Sequence, residues 1–336
     1  MKKIQKCISI IFAIVMLTLV GCSSIPNDPS DGSVFLAPTL SKPPPSPSLS
    51  IDYCCHDTPN PLEESHNISN ITTEDLDQLL GQWGTNIAVH FECINSGFTY
   101  ERNADREFFG ASVSKATLAL LLYKMADTGE IDLDQTMRAQ ANHARHGSMN
   151  VGDIISIRRL IAINLYQSDN GATLMLRDHL GNGNATAGTR RYRQFVESIG
   201  GDPSLVRGVI MDSILTAREM ALFARAIHEY IEGDNPNSEE FRTHLTNNAH
   251  LFLFRESDVT VGSKTGWYGG FLNDMAIVYL ENRPFILTMM TTGRTSNVRP
   301  DTSNISQQDR ADFALISETF LDFQLGRRVP SVPNVR

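Results

Sequence analysis

The first residues in this chain that could do chemistry are a serine and a lysine at the start of an apolar run. Ser112 and Lys115 stand three positions apart, and residues at that spacing share one face of a helix. A serine hydroxyl needs a base within hydrogen-bond reach to act as a nucleophile. A buried lysine can be that base, because burial lowers its pKa and favours the neutral amine. The pair therefore predicts Ser112 as a nucleophile and Lys115 as its base.

The second group is Ser168-Asp169-Asn170, which follows a stretch that is predicted to be helical. By itself such a tripeptide is typical of a turn, since all three residue types favour one. Beside Lys115, the Ser168 hydroxyl could relay a proton to the nitrogen that leaves the substrate. The Asn170 side chain could hydrogen-bond a substrate amide. We therefore predict Ser168 as a catalytic residue and Asn170 as a substrate-binding residue.

The third group is Lys264-Thr265-Gly266, which is predicted to end a strand, with Trp267 directly after it. Lys264 and Thr265 are predicted to bind a substrate carboxylate. Gly266 would let the substrate lie close to the strand. The backbone N–H of Trp267, together with N–H groups at the helix start near Ser112, could stabilise an oxyanion. All three groups together describe an acyl-transfer site.

In this order the groups resemble the S-x-x-K, S-D-N and K-T-G signature of class A β-lactamases and penicillin-binding proteins. Residues 100–106 also resemble the segment before the nucleophile in that family, and residues 264–280 resemble its K-T-G strand and the next strand. The resemblance spans residues 72–326. It implies a covalent acyl-enzyme, a β-lactam or a peptidoglycan stem peptide as the binding partner, and neither a metal nor another cofactor.

The hydrophobic pattern predicts an α+β fold. Predicted helices cover residues 73–83, 112–125, 308–324 and much of 150–230, and predicted strands cover residues 86–93, 98–102, 259–264, 272–280 and 285–291. Strands early and late in the chain favour an antiparallel sheet with an inserted helical region. The resemblance implies a β-lactamase/D,D-peptidase-like fold with three α/β/α layers. In that fold a five-stranded sheet flanked by helices meets an all-helical subdomain at the active site.

Residues 1–22 are typical of a bacterial lipoprotein signal peptide. Three lysines precede the apolar run of residues 8–20, and the segment ends in Leu19-Val20-Gly21-Cys22. This tetrapeptide resembles a lipobox, so Cys22 is the predicted lipidation site. A plain signal peptide and an uncleaved anchor are the alternatives. Each of them places the mature protein outside the cytoplasm, and lipidation would anchor it to the cell membrane.

Composition divides residues 23–336 into a tether, a folded domain and a tail. Residues 23–70 are rich in proline and serine and are predicted to form a disordered tether. Residues 71–326 form the predicted hydrolase domain, which we expect to be a monomer, and residues 327–336 form a tail. The formal net charge is -9 and no basic run occurs, so a nucleic-acid partner is not predicted.

Three cysteines remain after Cys7 and Cys22 are set aside. Cys54 and Cys55 are adjacent and can hardly bridge each other without strain. A bridge from one of them to Cys93 is left open, because sequence does not settle connectivity. No histidine joins these cysteines at metal-ligand spacing, so a structural zinc site is not predicted.

One departure from the family pattern concerns release of the acyl group. Class A β-lactamases carry a glutamate, in an E-x-x-L-N loop, that activates the deacylating water. The corresponding residues 200–212 contain no glutamate and the loop is short. Glu197 and Glu219 are interpreted as structural, the latter in a capping box with Thr216. Asp202 and Asp212 are the candidate substitutes.

These residues predict a penicillin-recognising serine hydrolase that forms its acyl-enzyme on Ser112 and is slow to deacylate. Two alternatives remain open: an efficient β-lactamase with an unrecognised deacylation base, and a non-catalytic penicillin-binding lipoprotein that acts as a sensor or scaffold. A serine amidase or glutaminase on the same fold is disfavoured by the S-D-N and K-T-G forms.

Overall fold

The computed structural model describes residues 70–248, 250–292 and 306–327. The predicted signal peptide, the lipidation site Cys22, the tether up to residue 69, and Cys54 and Cys55 lie outside these ranges. Cys93 is disulfide-bonded, and its partner also lies outside them. Among the described helices, none has the length and apolar character needed to cross a bilayer.

The described part of the chain contains the following helices and strands. The helices are α1 (Thr73–Gly81), α2 (Ser114–Asp127), α3 (Ala141–His146), α4 (Ile157–Tyr166), α5 (Asn170–Leu180), α6 (Ala185–Ser198), α7 (Ala217–Glu232), α8 (Ser238–Thr246) and α9 (Gln307–Leu325). The strands are β1 (Ile87–Cys93), β2 (Thr99–Arg102), β3 (Phe108–Phe109), β4 (Thr136–Arg138), β5 (Ile154–Ser156), β6 (Ile214–Leu215), β7 (Thr260–Tyr268), β8 (Phe271–Tyr279) and β9 (Phe285–Thr291). Single 3-10 turns cover Ala111–Val113, Pro203–Leu205 and Ile210–Asp212.

The main sheet has five antiparallel strands in the order β2-β1-β9-β8-β7. β1 pairs with β9 from Ile87 opposite Thr291 to Cys93 opposite Phe285. The early hairpin and the three late strands therefore share one sheet, which confirms the predicted α+β architecture. β7, which carries Lys264, forms one edge of this sheet.

Each face of the sheet supports its own apolar core, because side chains alternate between the faces along a strand. Val89 belongs to a core with Leu76 of α1 and Phe320 of α9. Met290 belongs to a second core with Leu120 of α2 and side chains from α4 to α8. Helices thus cover both faces, and the expected three layers are confirmed.

The helix α2 runs through the second core. Eleven of its 14 residues are buried, including the polar Ser114, Lys115 and Thr117. A helix over most of the predicted residues 112–125 is confirmed. Burial on all sides gives this helix little freedom to move, so the residues at its start are held in place by packing.

Ser112 lies just before α2 and not in it, contrary to the prediction. It belongs to the 3-10 turn Ala111–Val113, called the Ser112 turn below, and α2 begins at Ser114. Ala111 has a φ of 48°. Because an α-helix of L-residues cannot pass through that left-handed conformation, α2 cannot extend further towards the N-terminus.

The strand that carries Lys264-Thr265-Gly266 also differs from the prediction. It does not end at this motif, and pairing with β8 continues to Tyr268 opposite Phe271. Gly269 and Gly270 follow with φ of 55° and 90°, which makes a two-residue hairpin turn. The motif therefore lies within a long strand, where pairing to β8 holds its backbone straight.

Smaller features also departed from expectation. α1 covers Thr73–Gly81 and so ends two residues before the predicted end at residue 83. Thr72 caps it: Thr72 Oγ1 accepts a hydrogen bond from Asp75 N at 3.3 Å, and Asp75 Oδ2 accepts one from Thr72 N at 2.8 Å. The mainly helical middle of the chain contributes two short strand pairs, β3 with β6 and β4 with β5, that were not predicted. Strands of two or three residues leave too short a pattern to recognise.

Candidate active site

The Ser112 turn lies directly against the edge strand β7. A Cβ atom at Gly266 would come within 2.6 Å of Gly110 O and 2.8 Å of Ser112 N, closer than such atoms pack. Glycine is therefore required for this contact. From the next strand, Asn273 Nδ2 donates to Phe109 O at 2.9 Å. These contacts place the half-buried Ser112 over β7.

Lys115 points into the space between α2 and the segment before α5. It is fully buried, and its Nζ donates to Ser168 O at 2.5 Å and to Asn170 Oδ1 at 2.7 Å. Burial, followed by the charge of Lys264, holds the Lys115 pKa well below its usual value. A neutral amine has two N–H donors and one lone pair. Both donors are thus used, and the lone pair is available to accept a proton.

Ser168 joins the two lysines. Its Oγ lies 3.3 Å from Lys115 Nζ and 3.1 Å from Lys264 Nζ. Its φ is 55°, a left-handed conformation that costs about 1–3 kcal/mol for a non-glycine residue. Asp169 supports it by capping α5, where Oδ1 accepts from Ala172 N at 2.7 Å. The predicted relay residue is therefore held in a strained position between the predicted base and the predicted carboxylate-binding lysine.

Lys264 is fully buried and its Nζ also donates to Thr265 O at 2.9 Å. Burial lowers the Lys264 pKa to about 7, while the Asp274 carboxylate acts to raise it. Asp274 lies opposite Thr265 in the β7–β8 pairing, so it is on the other face of the sheet from Lys264. The charge of Lys264 is thus supported through the sheet and depends on pH near neutrality.

The hairpin geometry decides which backbone groups of β7 face the site. The pair that flanks a two-residue turn, here Tyr268 and Phe271, is hydrogen-bonded, and such pairs alternate along the ladder. Backbone groups of Ser263, Thr265 and Trp267 therefore point away from β8. Two observations agree: Ser263 O accepts from the Asn248 side chain at 2.9 Å, and Thr265 O accepts from Lys264. The N–H of Trp267 accordingly points away from β8, to the outer edge of the sheet.

The sequence therefore grouped residues that the structure brings together around the Ser112 turn. These are Lys115, Ser168, Asn170, Lys264, Thr265, Gly266 and Trp267. The pairing of Lys115 differs from the simple expectation, since its N–H groups bond to Ser168 and Asn170, not to Ser112. A hydrogen bond between a nucleophile and its base often forms only when substrate binds. The roles assigned to these residues therefore stay predictions.

Asp274 is a residue that the motifs did not reveal. Its Oδ1 accepts from Ser263 Oγ at 2.6 Å, and its Oδ2 accepts from the backbone N–H groups of Phe252 and Leu253 at 3.1 and 2.8 Å. Burial raises the Asp274 pKa to about 6. An acidic residue inside the apolar run of β8 was the signal that could have identified it.

His250 was missed as well. Its ring centroid is 5.2 Å from that of Trp267, and burial together with the charge of Lys264 lowers its pKa. Asn248 Oδ1 accepts from His250 N at 3.0 Å. The loop after α8, which no motif marks, therefore lines the same edge of β7 as the predicted site.

The carboxylates near the short loop occupy different environments. Glu219 is buried, and its Oε1 accepts from Asp202 N at 3.0 Å. Only half of the predicted capping box exists, with Thr216 Oγ1 accepting from Glu219 N at 3.0 Å. Asp202 is exposed and its Oδ1 accepts from Ser204 N at 2.8 Å. Glu219 thus anchors the start of the loop.

Asp212 lies nearer to the Ser112 turn than Asp202 does. It ends a 3-10 turn, and the next residue, Ser213, accepts a hydrogen bond at its carbonyl oxygen from Gly110 N at 2.9 Å. Partial burial raises the Asp212 pKa. Of the two candidate substitutes for the missing glutamate, Asp212 is the one in a segment that contacts the Ser112 turn.

The model of the beta-lactamase enzyme family matches residues 71–312. The chain belongs to this family. Its fold is that of class A β-lactamases, with the five-stranded sheet and flanking helices described above. No curated protein matches the sequence.

Solved structures of β-lactamases and of PBP-A resemble the chain over most of its length. A β-lactamase from Xanthomonas campestris has 20% identity and a TM-score of 0.60, covering 76% of this chain and 99% of that one. An ancestral class A β-lactamase has 23% identity and a TM-score of 0.59, with 74% and 98% covered. PBP-A has 19% identity and a TM-score of 0.62, with 74% and 95% covered. At these identities the likeness establishes the fold alone.

Proposed function

We propose that this β-lactamase family member is a penicillin-recognising serine hydrolase. It would form an acyl-enzyme on Ser112 with β-lactams or with D-Ala-D-Ala peptides and release the product slowly. The observation that carries the proposal is the Ser168 hydroxyl between the amines of Lys115 and Lys264, beside the Ser112 turn. Among the similar solved structures, a variant of PBP-A is an acyl-enzyme complex with penicillin G.

In the acylation step, Ser112 Oγ attacks the substrate carbonyl carbon and loses its proton to the neutral amine of Lys115. The C–N bond then breaks, and the Ser168 hydroxyl gives its proton to the departing nitrogen. Lys115 returns its proton to Ser168, so both regain their starting protonation and the proton lost by Ser112 ends on the departing nitrogen. The low pKa of Lys115 suits it to accept a proton at neutral pH.

The remaining groups stabilise charge on the substrate. The backbone N–H groups of Ser112 and Trp267 would bind the oxyanion. Lys264 would pair with the substrate carboxylate. The resemblance to the K-T-G signature assigns Thr265 to the same carboxylate.

Slow release follows from the short loop at residues 200–212. It holds no glutamate, and loss of a positioned general base typically costs about 10²–10⁴ in rate. An efficient β-lactamase is the second candidate. Asp212 favours it, because that carboxylate adjoins Ser213, which is bonded to Gly110.

The deciding experiment is intact-protein mass spectrometry over time after exposure to benzylpenicillin. We expect a persistent adduct of one penicillin per chain that is absent in Ser112→Ala. An adduct that forms and disappears within seconds, with fast nitrocefin hydrolysis, would instead identify a β-lactamase with its own deacylation base. Absence of any adduct in the wild type would favour the non-catalytic binding lipoprotein.

We also propose that the protein is a lipoprotein held outside the cytoplasm through Cys22. The support is the lipobox-like sequence that ends at this residue. Metabolic labelling with a fatty acid during expression in bacteria should mark the wild type and not Cys22→Ala. Labelling of both proteins would contradict the proposal.

A further inference from the structure

A polar side chain occupies a core position of α4. The buried residues of this helix recur at the spacing of one helix face, and Asn164 is the polar one among them, beside four apolar side chains. Asn164 is fully buried. Burying an amide without hydrogen-bond partners costs about 1–3 kcal/mol. The position therefore depends on the partners that the amide finds in the core.

The Asn164 side chain joins α4 to two other helices. Its Nδ2 donates to Lys115 O in α2 at 3.2 Å, and its Oδ1 accepts from Thr173 Oγ1 in α5 at 2.7 Å. Thr173 is fully buried as well, and its hydroxyl lies 2.9 Å from Asp169 O. One amide on α4 thus connects the helix of the predicted base to the helix that begins at Asn170.

Lys115 is held at both ends by one continuous segment of the chain. Its carbonyl accepts from Asn164, and its amine donates to Ser168 O at 2.5 Å and to Asn170 Oδ1 at 2.7 Å. A lysine amine ends a flexible stem of four carbons, so its place relative to Ser168 depends on where the Lys115 backbone lies. The bond from Asn164 fixes that backbone against the last turn of α4, directly before Ser168.

We propose that Asn164, together with Thr173, is a positioning residue that sets the distance between the Lys115 amine and the Ser168 hydroxyl. The inference rests on the proposed function. In this role Asn164 acts through the Lys115 backbone, so it is not a catalytic residue. A proton relay needs its groups within hydrogen-bond reach, and the Ser168 hydroxyl lies 3.3 Å from the Lys115 amine, at the outer limit of that reach. A small shift of α4 against α2 would therefore slow the relay.

The test removes the polar pair without leaving an unpaired group. In the double variant Asn164→Leu, Thr173→Val, both partners become apolar side chains of similar size, a change that can be nearly neutral for stability. Lys115 O keeps its bond within α2, and Asp169 O still accepts from Thr173 N at 3.2 Å. We therefore expect the double variant to unfold at a temperature close to that of the wild type.

Acylation by benzylpenicillin, followed by stopped flow over a range of concentrations, gives the rate constant of the bond-forming step and the dissociation constant of the initial complex. The rate constant should fall about ten- to hundred-fold in the double variant, the scale of a misplacement of up to about 1 Å. The dissociation constant should stay within about two-fold, because the groups that bind the carboxylate are untouched.

Further variants separate positioning from general disruption of the core. Thr173→Ser keeps the hydroxyl and should keep the wild-type rate constant, whereas Thr173→Val alone leaves the Asn164 oxygen without its donor and should lower it. Thr319→Val is the matched control. Thr319 is buried in α9, where its Oγ1 donates to Leu315 O at 2.7 Å, and α9 packs on the other face of the sheet. This variant should leave the rate constant unchanged, whatever its effect on stability.

Two outcomes would overturn the inference while leaving the proposed function standing. One is a folded double variant that is acylated at the wild-type rate. The other is a loss that lies entirely in the dissociation constant, since a displaced relay slows the bond-forming step. If the double variant does not fold, Thr173→Ser and Thr173→Val decide, and equal rate constants for these two would overturn the inference. A wild type that benzylpenicillin does not acylate would overturn the proposed function, and the positioning role with it.

Discussion

Gly266 passes directly beneath Ser112, and the space a side chain would need there is already occupied. A Cβ at this position would lie 2.8 Å from Ser112 N and 2.6 Å from Gly110 O. Both of these atoms belong to backbone, so a flexible side chain cannot move to relieve the clash. The position of the nucleophile therefore depends on the absence of a side chain in the neighbouring strand.

We expect Gly266→Ala to lower the rate of penicillin acylation by about 10² or more, since a shift of 1 Å at a reacting group can have that effect. Unfolding should become easier by about 1–3 kcal/mol, as for other overpacked sites. Stopped-flow acylation and denaturant unfolding measure the two effects. Gly81→Ala is the control, because a Cβ there meets no atom within 4 Å. Wild-type acylation in Gly266→Ala would show that the turn is not seated on β7.

The role of Lys115 as a base can be separated from its role in packing. Lys115→Met keeps an unbranched side chain in the buried site and removes only the amine. Acylation should fall by about 10²–10⁴, the usual contribution of a general base. Lys124→Met, at an exposed lysine of the same helix, should label with fluorescent penicillin at the wild-type rate. Normal labelling of a folded Lys115→Met protein would exclude Lys115 as the base.

Acylation should decline on the alkaline side because of Lys264. Its pKa is about 7, so it loses its positive charge, and with it the attraction for a substrate carboxylate, as pH rises through that value. The decline should appear in the second-order rate constant and be weaker for a substrate without the carboxylate. A rate that stays constant from pH 6 to 9 would contradict this assignment, given a pKa of about 7.

Asp274→Asn should move that decline to lower pH. The Asp274 carboxylate raises the Lys264 pKa, and asparagine keeps the shape of the side chain without the charge. A pH profile identical to the wild type would mean that Asp274 only holds the loop at Phe252 and Leu253. A merely structural role would lower stability without moving the profile, so the profile and the melting temperature are measured together.

Glu219 should make stability depend on pH. Burial raises its pKa to about 7, so the folded state binds a proton that the unfolded state has released between about pH 4.5 and 7. Its stabilising contribution is therefore present below that window and lost as pH rises through it. In Glu219→Gln the drop in unfolding free energy from pH 5 to pH 8 should be smaller by about 1–3 kcal/mol. An unchanged drop would mean that Glu219 titrates normally.

The residual release of the acyl group should depend on Asp212. We expect Asp212→Asn to lengthen the lifetime of the penicillin adduct about 10²-fold, the lower end of the range for general-base loss. Asp202→Asn, at the exposed carboxylate that caps the neighbouring turn, should leave the lifetime unchanged. Equal adduct lifetimes in the wild type, Asp212→Asn and Asp202→Asn would mean that neither carboxylate assists deacylation.

Much of the site could be predicted because its residues occur as short local motifs. Side-chain chemistry, spacing and the resemblance to the family signature predicted Ser112, Lys115, Ser168 and Lys264 without any knowledge of distant contacts. The order of helices and strands likewise predicted one sheet built from early and late strands, because hydrophobic periodicity is a local property.

The tertiary structure decided the features that depend on contacts between segments far apart in the chain. The strand β7 runs past its motif because β8 pairs with it up to the Gly269-Gly270 turn. Ser168 reaches both lysines because α4 ends where α2 and β7 meet. Asp274 and His250 join the site from segments without a motif. The sequence alone determined which chemical groups are available, and long-range packing determined which of them touch, because contact between residues far apart in the chain leaves no local pattern.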